Sequence, residues 1–146
     1  MNKYYLKILS IFLFSTLLAF SFITAVNAEE SAEAKTTIPA TVPEIWKAID
    51  SQTTDLKKTI SENKLSEVHH YAYAIRDLVA ALLTHADALP ADKLDEVKKQ
   101  NKFVVTIVDR LDETGDKADK PATESNFVKL QKVIGDIRST YNVAPN

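Results

Sequence analysis

The chain contains no cysteine, two glycines and one methionine, Met1. Without cysteine there is no disulfide, no thiolate metal site, no Cys-x-x-Cys-His attachment for covalent haem, and no lipid anchor at a signal-peptide cysteine. With glycine confined to Gly115 and Gly135, no glycine-rich loop is available to cradle a phosphate. Basic clusters are missing too: 18 basic and 20 acidic residues give a formal charge of −2, the wrong sign for a nucleic-acid partner.

One long apolar run is present, Ile8 to Val26, preceded by Lys3 and Lys7 and followed by Val26-Asn27-Ala28. A short basic region, an apolar stretch and small residues at the cleavage positions predict a signal peptide over 1–28, cut after Ala28. The rival reading is an uncleaved anchor, since the run is nearly long enough to cross a thin bilayer. Ser10, Ser15, Thr16 and Ser21 dilute it, and charge begins directly after Ala28, which favours cleavage. Loss of Lys3 and Lys7 takes the formal charge from −2 to −4 over the remaining 118 residues, an ordinary single-domain length with no membrane association expected after cleavage. Residues 29–40, Ala/Thr-rich and without period, predict a flexible lead, and 41–146 a folded domain.

That domain reads as four helices. Thr41 and Glu44 form a capping box with Pro43 in the first turn, and Val42, Trp46, Ile49, Leu56 and Ile60 share a face on which Thr53 fills the gap. The second helix has Leu65, Val68, Ala72, Ile75, Val79, Leu82, Ala86 and Leu89 in unbroken steps of three and four. Pro90 opens a third along Leu94, Val97, Asn101, Val104, Val108 and Leu111, for which Gly115 is the expected left-handed stop. Pro121 opens a fourth along Phe127, Leu130, Ile134, Ile137 and Tyr141. Helices of roughly 19 to 25 residues on short links predict an all-α, antiparallel up-down-up-down four-helix bundle. Gly135 lies off the seam, which marks a surface glycine, whereas Asn101 lies on it and should be a hydrogen-bonded, register-fixing amide. Arg76, on the flank of its helix, is expected to pair with an acid on a neighbouring one.

Bundles can hold haem or paired metals in their cores, and these residues argue against both. Met1 leaves with the signal, so no methionine remains for a haem. A di-iron bundle needs Glu-x-x-His on two helices, whereas Glu67 to His70 is its single occurrence and lies off the seam. His69 flanks the buried stripe and His70 is a further 100 degrees round, so the two should diverge; His85 is about 24 Å along the helix axis from His69. What remains is one end of the bundle, where Glu62, Glu67, His69, His70, Asp109, Asp112, Glu113, Asp116, Asp119 and Glu124 gather. From these, His69, His70, Glu67, Asp112 and Asp116 form the candidate set for zinc, copper or nickel, since imidazole and carboxylate donors bind such ions. The same residues also suit a solvated acidic surface. Ser66 and His70, four apart, have the spacing of a serine-histidine contact, but nothing marks an oxyanion hole. Trp46, Tyr71, Tyr73 and Phe103 read as core and boundary aromatics.

The segments EVHHYAYAIRDLVAAL (67–82), LPADKLDEVK (89–98) and FVVTIVDRLDETGD (103–116) resemble a group of small exported helical-bundle proteins of proteobacteria often met with heavy-metal efflux and resistance systems. The resemblance spans about 43–141. It implies a periplasmic location and a metal-linked role and carries no ligand set. The plan is also similar to that of the periplasmic b-type cytochrome bundle, from which this chain departs by lacking the axial methionine and any histidine over 138–141. The expected function is therefore non-enzymatic: weak metal binding, or engagement of an envelope protein or efflux component. The alternatives are an interaction module with an exposed aromatic face around Tyr73 and Phe103, and a hydrolase using Ser66 and His70.

Overall fold

The structure, a computed structural model, describes residues 36–86 and 89–141. The signal-peptide reading and most of the lead lie outside them. The described residues form four helices, α1 (Val42–Ser61), α2 (Val68–Leu82), α3 (Ala91–Asp116) and α4 (Lys120–Tyr141), with short 3-10 turns at Leu65–Glu67 and Leu83–His85. Among the described residues there is no strand, and the protein is all-helical. No helix among them is long and apolar enough to cross a membrane.

Local chemistry sets the boundaries. Thr41 caps α1, its Oγ1 accepting from the Glu44 N–H at 3.4 Å while its hydroxyl donates to Glu44 Oε2 at 2.8 Å. At the far end Asn63 is left-handed (φ 60°), and the Asn63 and Lys64 N–H groups donate back to the carbonyls of Ile60 and Thr59. This paired closure satisfies carbonyls the helix would otherwise leave open. α3 closes in the same way, with Ala118 and Asp119 donating to Gly115 and Thr114. The left-handed residue there is Ala118 (φ 52°), not Gly115 as expected; Gly115 is helical and buried. Asp119 Oδ1 then accepts from the Ala122 N–H at 3.1 Å and caps α4.

The second apolar stripe is longer than the α-helix that carries it. α2 has no side-chain cap at its first turn and tightens into a 3-10 turn at each end, which keeps Leu65 in the core. Most of the expected seam is buried, although Val42, Leu89, Leu94 and Tyr141 are only half-buried, and the apolar Ile45, Leu78 and Ile107 are buried beside it. A core-facing helix buries a stripe wider than a strict three-four seam, which is why these neighbours join it.

Pairwise contacts bring α1 against α2, α2 against α3, α3 against α4, and α4 back against α1. Near the start of α1, the Trp46 ring meets Tyr141 edge-on at 6.0 Å, and Asp50 pairs with Arg138 from the end of α4. Arg138 is 7% exposed, and its guanidinium also lies over the Trp46 ring at 4.6 Å. At the other end of α1, the Ser61 carbonyl accepts from Lys120 at 3.4 Å. Two expectations fail here. Asn101 is half-buried and, among the described residues, its Oδ1 has no hydrogen-bond partner. Arg76 pairs with the adjacent Asp77 at 3.0 Å and stacks over Tyr73 instead of crossing to a neighbouring helix. Gly135, by contrast, is exposed with open space around it, as expected.

The Tyr141 hydroxyl donates to the Leu82 carbonyl at 2.8 Å and so ties the end of α4 to the end of α2. Burial raises the ionisation of this phenol above its ordinary range. The folded protein therefore retains a proton that the unfolded chain releases above about pH 10, so this contribution to stability is present below that pH and is lost as pH rises further. Urea midpoints measured from pH 8 to 11.5 should fall above about pH 10, and Tyr141→Phe should make that fall shallower.

Candidate functional site

Steps of four residues along a helix return to the same face. His69 and Tyr73 form one such pair on α2, and Asp112 and Asp116 another on α3. The two pairs face each other. The Tyr73 hydroxyl donates to Asp112 Oδ2 at 2.6 Å, and one donor atom from each of His69, Asp112 and Asp116 lies within 4.8 Å of the other two. His69 and Asp112 are half-buried, while Asp116 is exposed and has freedom to swing.

Gly115 makes this juxtaposition possible. It continues the buried seam of α3 past Leu111, and a Cβ at this position would lie 2.7 Å from the Leu65 carbonyl oxygen and 3.4 Å from Val68 Cβ. Only the absence of a side chain lets α3 approach the start of α2 this closely, and Asp112 and Asp116 stand to either side of the contact. The seam that runs Val104, Val108, Leu111 already pointed to Gly115 four residues on, a signal the sequence reading passed over in treating it as a helix stop. Tyr73 as the anchor of Asp112 was also missed.

Of the five candidate ligands, the structure brings together His69, Asp112 and Asp116, and leaves out His70 and Glu67. His70 is exposed, yet its ring is 3.9 Å from that of His69, so the two imidazoles lie against each other and do not diverge. Glu67 is exposed on the 3-10 turn before α2. Three other acids at this end are committed elsewhere. Glu62 pairs with Lys64 at 2.9 Å, and Glu113 with Lys117 at 2.5 Å; in each case the lysine's hydrogen bond comes first, and then its charge, in holding the carboxyl below the usual range. Asp119 caps α4.

Comparison with protein-family models, curated proteins and solved structures finds no match.

Bonds to zinc from imidazole and carboxylate are about 2.0–2.2 Å, which separates tetrahedral donors by about 3.4 Å. The three donor atoms, within 4.8 Å of one another, need only a small swing of the exposed Asp116 to reach that spacing. Tyr73 holds Asp112 by Oδ2 and leaves Oδ1 for a ligand, an arrangement that orients a ligating carboxylate. Three protein donors leave room for water in the remaining positions.

The other proposed groupings fare differently. Ser66 and His70 are both exposed, and no hydrogen bond joins them among the described residues. Tyr73 meets Asp112, which is nine residues and hence half a turn of azimuth from Phe103, so the two rings serve opposite sides of α3. His85 is exposed on the turn after α2, remote in sequence from His69.

Three exchanges between glycine and alanine separate these roles in thermal or urea denaturation. Gly115→Ala should destabilise by about 1–3 kcal/mol, because backbone must shift to admit the methyl group. Gly135→Ala should gain about 1 kcal/mol of helix propensity. Ala118→Gly should gain about 1 kcal/mol by relieving a left-handed alanine.

Proposed function

We propose that this protein is an exported, non-catalytic bundle, antiparallel and up-down-up-down, that binds a divalent transition metal at His69, Asp112 and Asp116 and serves metal handling in the periplasm. The observation that carries the reading is the convergence of one imidazole and two carboxylates at the place where Gly115 lets two helices touch. The bundle topology is supported by the contacts of α1 with both ends of α4 and by the facing pairs of α2 and α3. Export is supported by the charge and apolar pattern of residues 1–28. In this reading an envelope protein or efflux component receives or supplies the ion.

A mixed nitrogen and oxygen donor set suits zinc, nickel and copper. Two carboxylates neutralise the charge of a divalent ion, and the acidic mature chain adds a field that attracts cations. Solvent reaches the site through Asp116, so binding should be reversible and modest in strength, as transfer requires.

Isothermal titration of zinc into the purified protein is expected to give one site in the micromolar range. His69→Ala and Asp112→Asn should each weaken it by at least about tenfold, and Tyr73→Phe by about tenfold through loss of orientation. His70→Ala should leave it nearly unchanged. Absence of binding for zinc, nickel and copper alike, or binding that survives His69→Ala, would overturn the reading.

A further inference from the structure

A second surface, between α3 and α4, has the opposite chemistry from the acidic end. A cleft of about 390 Å³ there is lined by apolar Phe103, Ile107 and Val133 and by cationic Arg110, Lys129 and Lys132, with no carboxylate among its lining residues. Phe103 is 61% exposed and is the sole ring among the large hydrophobics exposed in the described residues. Lys132 shares its charge with Asp136 at 2.8 Å, whereas Lys129 reaches only the Asn126 side-chain oxygen at 3.5 Å. Arg110 makes no contact ion pair among the described residues; Glu113, one turn on, is bonded to Lys117 and feels the Arg110 charge only at longer range. On a chain of net negative charge, the cleft thus keeps a local cationic surplus beside an apolar floor.

We propose that this cleft binds a monomeric, single-chain aliphatic carboxylate, its tail along Phe103, Ile107 and Val133 and its head group on Arg110 with Lys129. The guanidinium offers a planar fork that matches a carboxylate, and the exposed ring gives the tail a surface whose removal from water favours binding. Size selects this occupant over a protein. The volume falls within the range of about 300–1,000 Å³ typical of small-molecule sites. Its seven lining residues, Thr106 among them, fall well short of the roughly 20–30 residues a side of a standard protein interface.

The test is calorimetric titration of dodecanoate, below its micellar concentration, into the purified protein. One site is expected, weakened about tenfold by Phe103→Ser and about tenfold by Arg110→Gln, with Arg110→Lys intermediate and His69→Ala without effect. Phe103 is exposed enough that its replacement leaves the core intact, and circular dichroism verifies the fold of each variant. Dodecyl maltoside and dodecyltrimethylammonium should bind at least tenfold more weakly than dodecanoate. The proposal is overturned if dodecanoate binding is absent or insensitive to both positions. It is equally overturned if the neutral or cationic amphiphile binds as well, if only anionic vesicles retain the protein, or if sedimentation shows a dimer that Phe103→Ser dissolves.

Discussion

The contact between Gly115 and the start of α2 sets the relation on which the candidate site depends. A side chain there would collide with the Leu65 carbonyl, so the absence of one fixes how near α3 lies to α2 and how far along it sits. That register places Asp112 opposite Tyr73, and His69 within reach of Asp112 and Asp116. Backbone contacts of this kind are stiff, because neither partner has a rotamer with which to yield. The arrangement of His69 and Asp112 is therefore held from behind by helix packing, while Asp116 faces solvent.

Charge is distributed over the protein with a consistent division of labour. Four acids at the His69 end meet different partners: Glu62 and Glu113 are paired with lysines, Asp119 caps a helix, and Asp112 accepts from a neutral hydroxyl. The Asp50–Arg138 pair is another matter. It is half sequestered against Trp46, where a guanidinium can satisfy a carboxylate and an aromatic face together, and it ties the first helix to the last. The cationic cleft beside Phe103 belongs to neither group, since no carboxylate is among its lining residues.

The helical class and most of the core were legible in the sequence because a three-four apolar rhythm has one physical reading. Val68, Ala72, Ile75, Val79 and Leu82 are all buried as that rhythm requires. The site was only partly legible. Spacing along one helix placed His69 at the edge of the core but could not say which acids of another helix would face it, since that depends on register between helices. Register was in turn set by Gly115, whose two uses, stopping a helix and letting backbones touch, look alike in sequence. Ala118 shows why the first assignment failed: the left-handed position went to an alanine, held there by two hydrogen bonds back into α3. Asn101 shows the converse, an amide on the seam without the partner its position suggested.

The central claim is that the Gly115 contact builds a metal site from His69, Asp112 and Asp116. Anomalous diffraction at the zinc edge, from crystals of the protein grown with zinc, tests it most directly. The expected result is one strong peak at about 2.0–2.2 Å from an imidazole nitrogen of His69 and from carboxylate oxygens of Asp112 and Asp116. A peak held instead by His70 and Glu67, or no ordered zinc at this end of the protein, would contradict it.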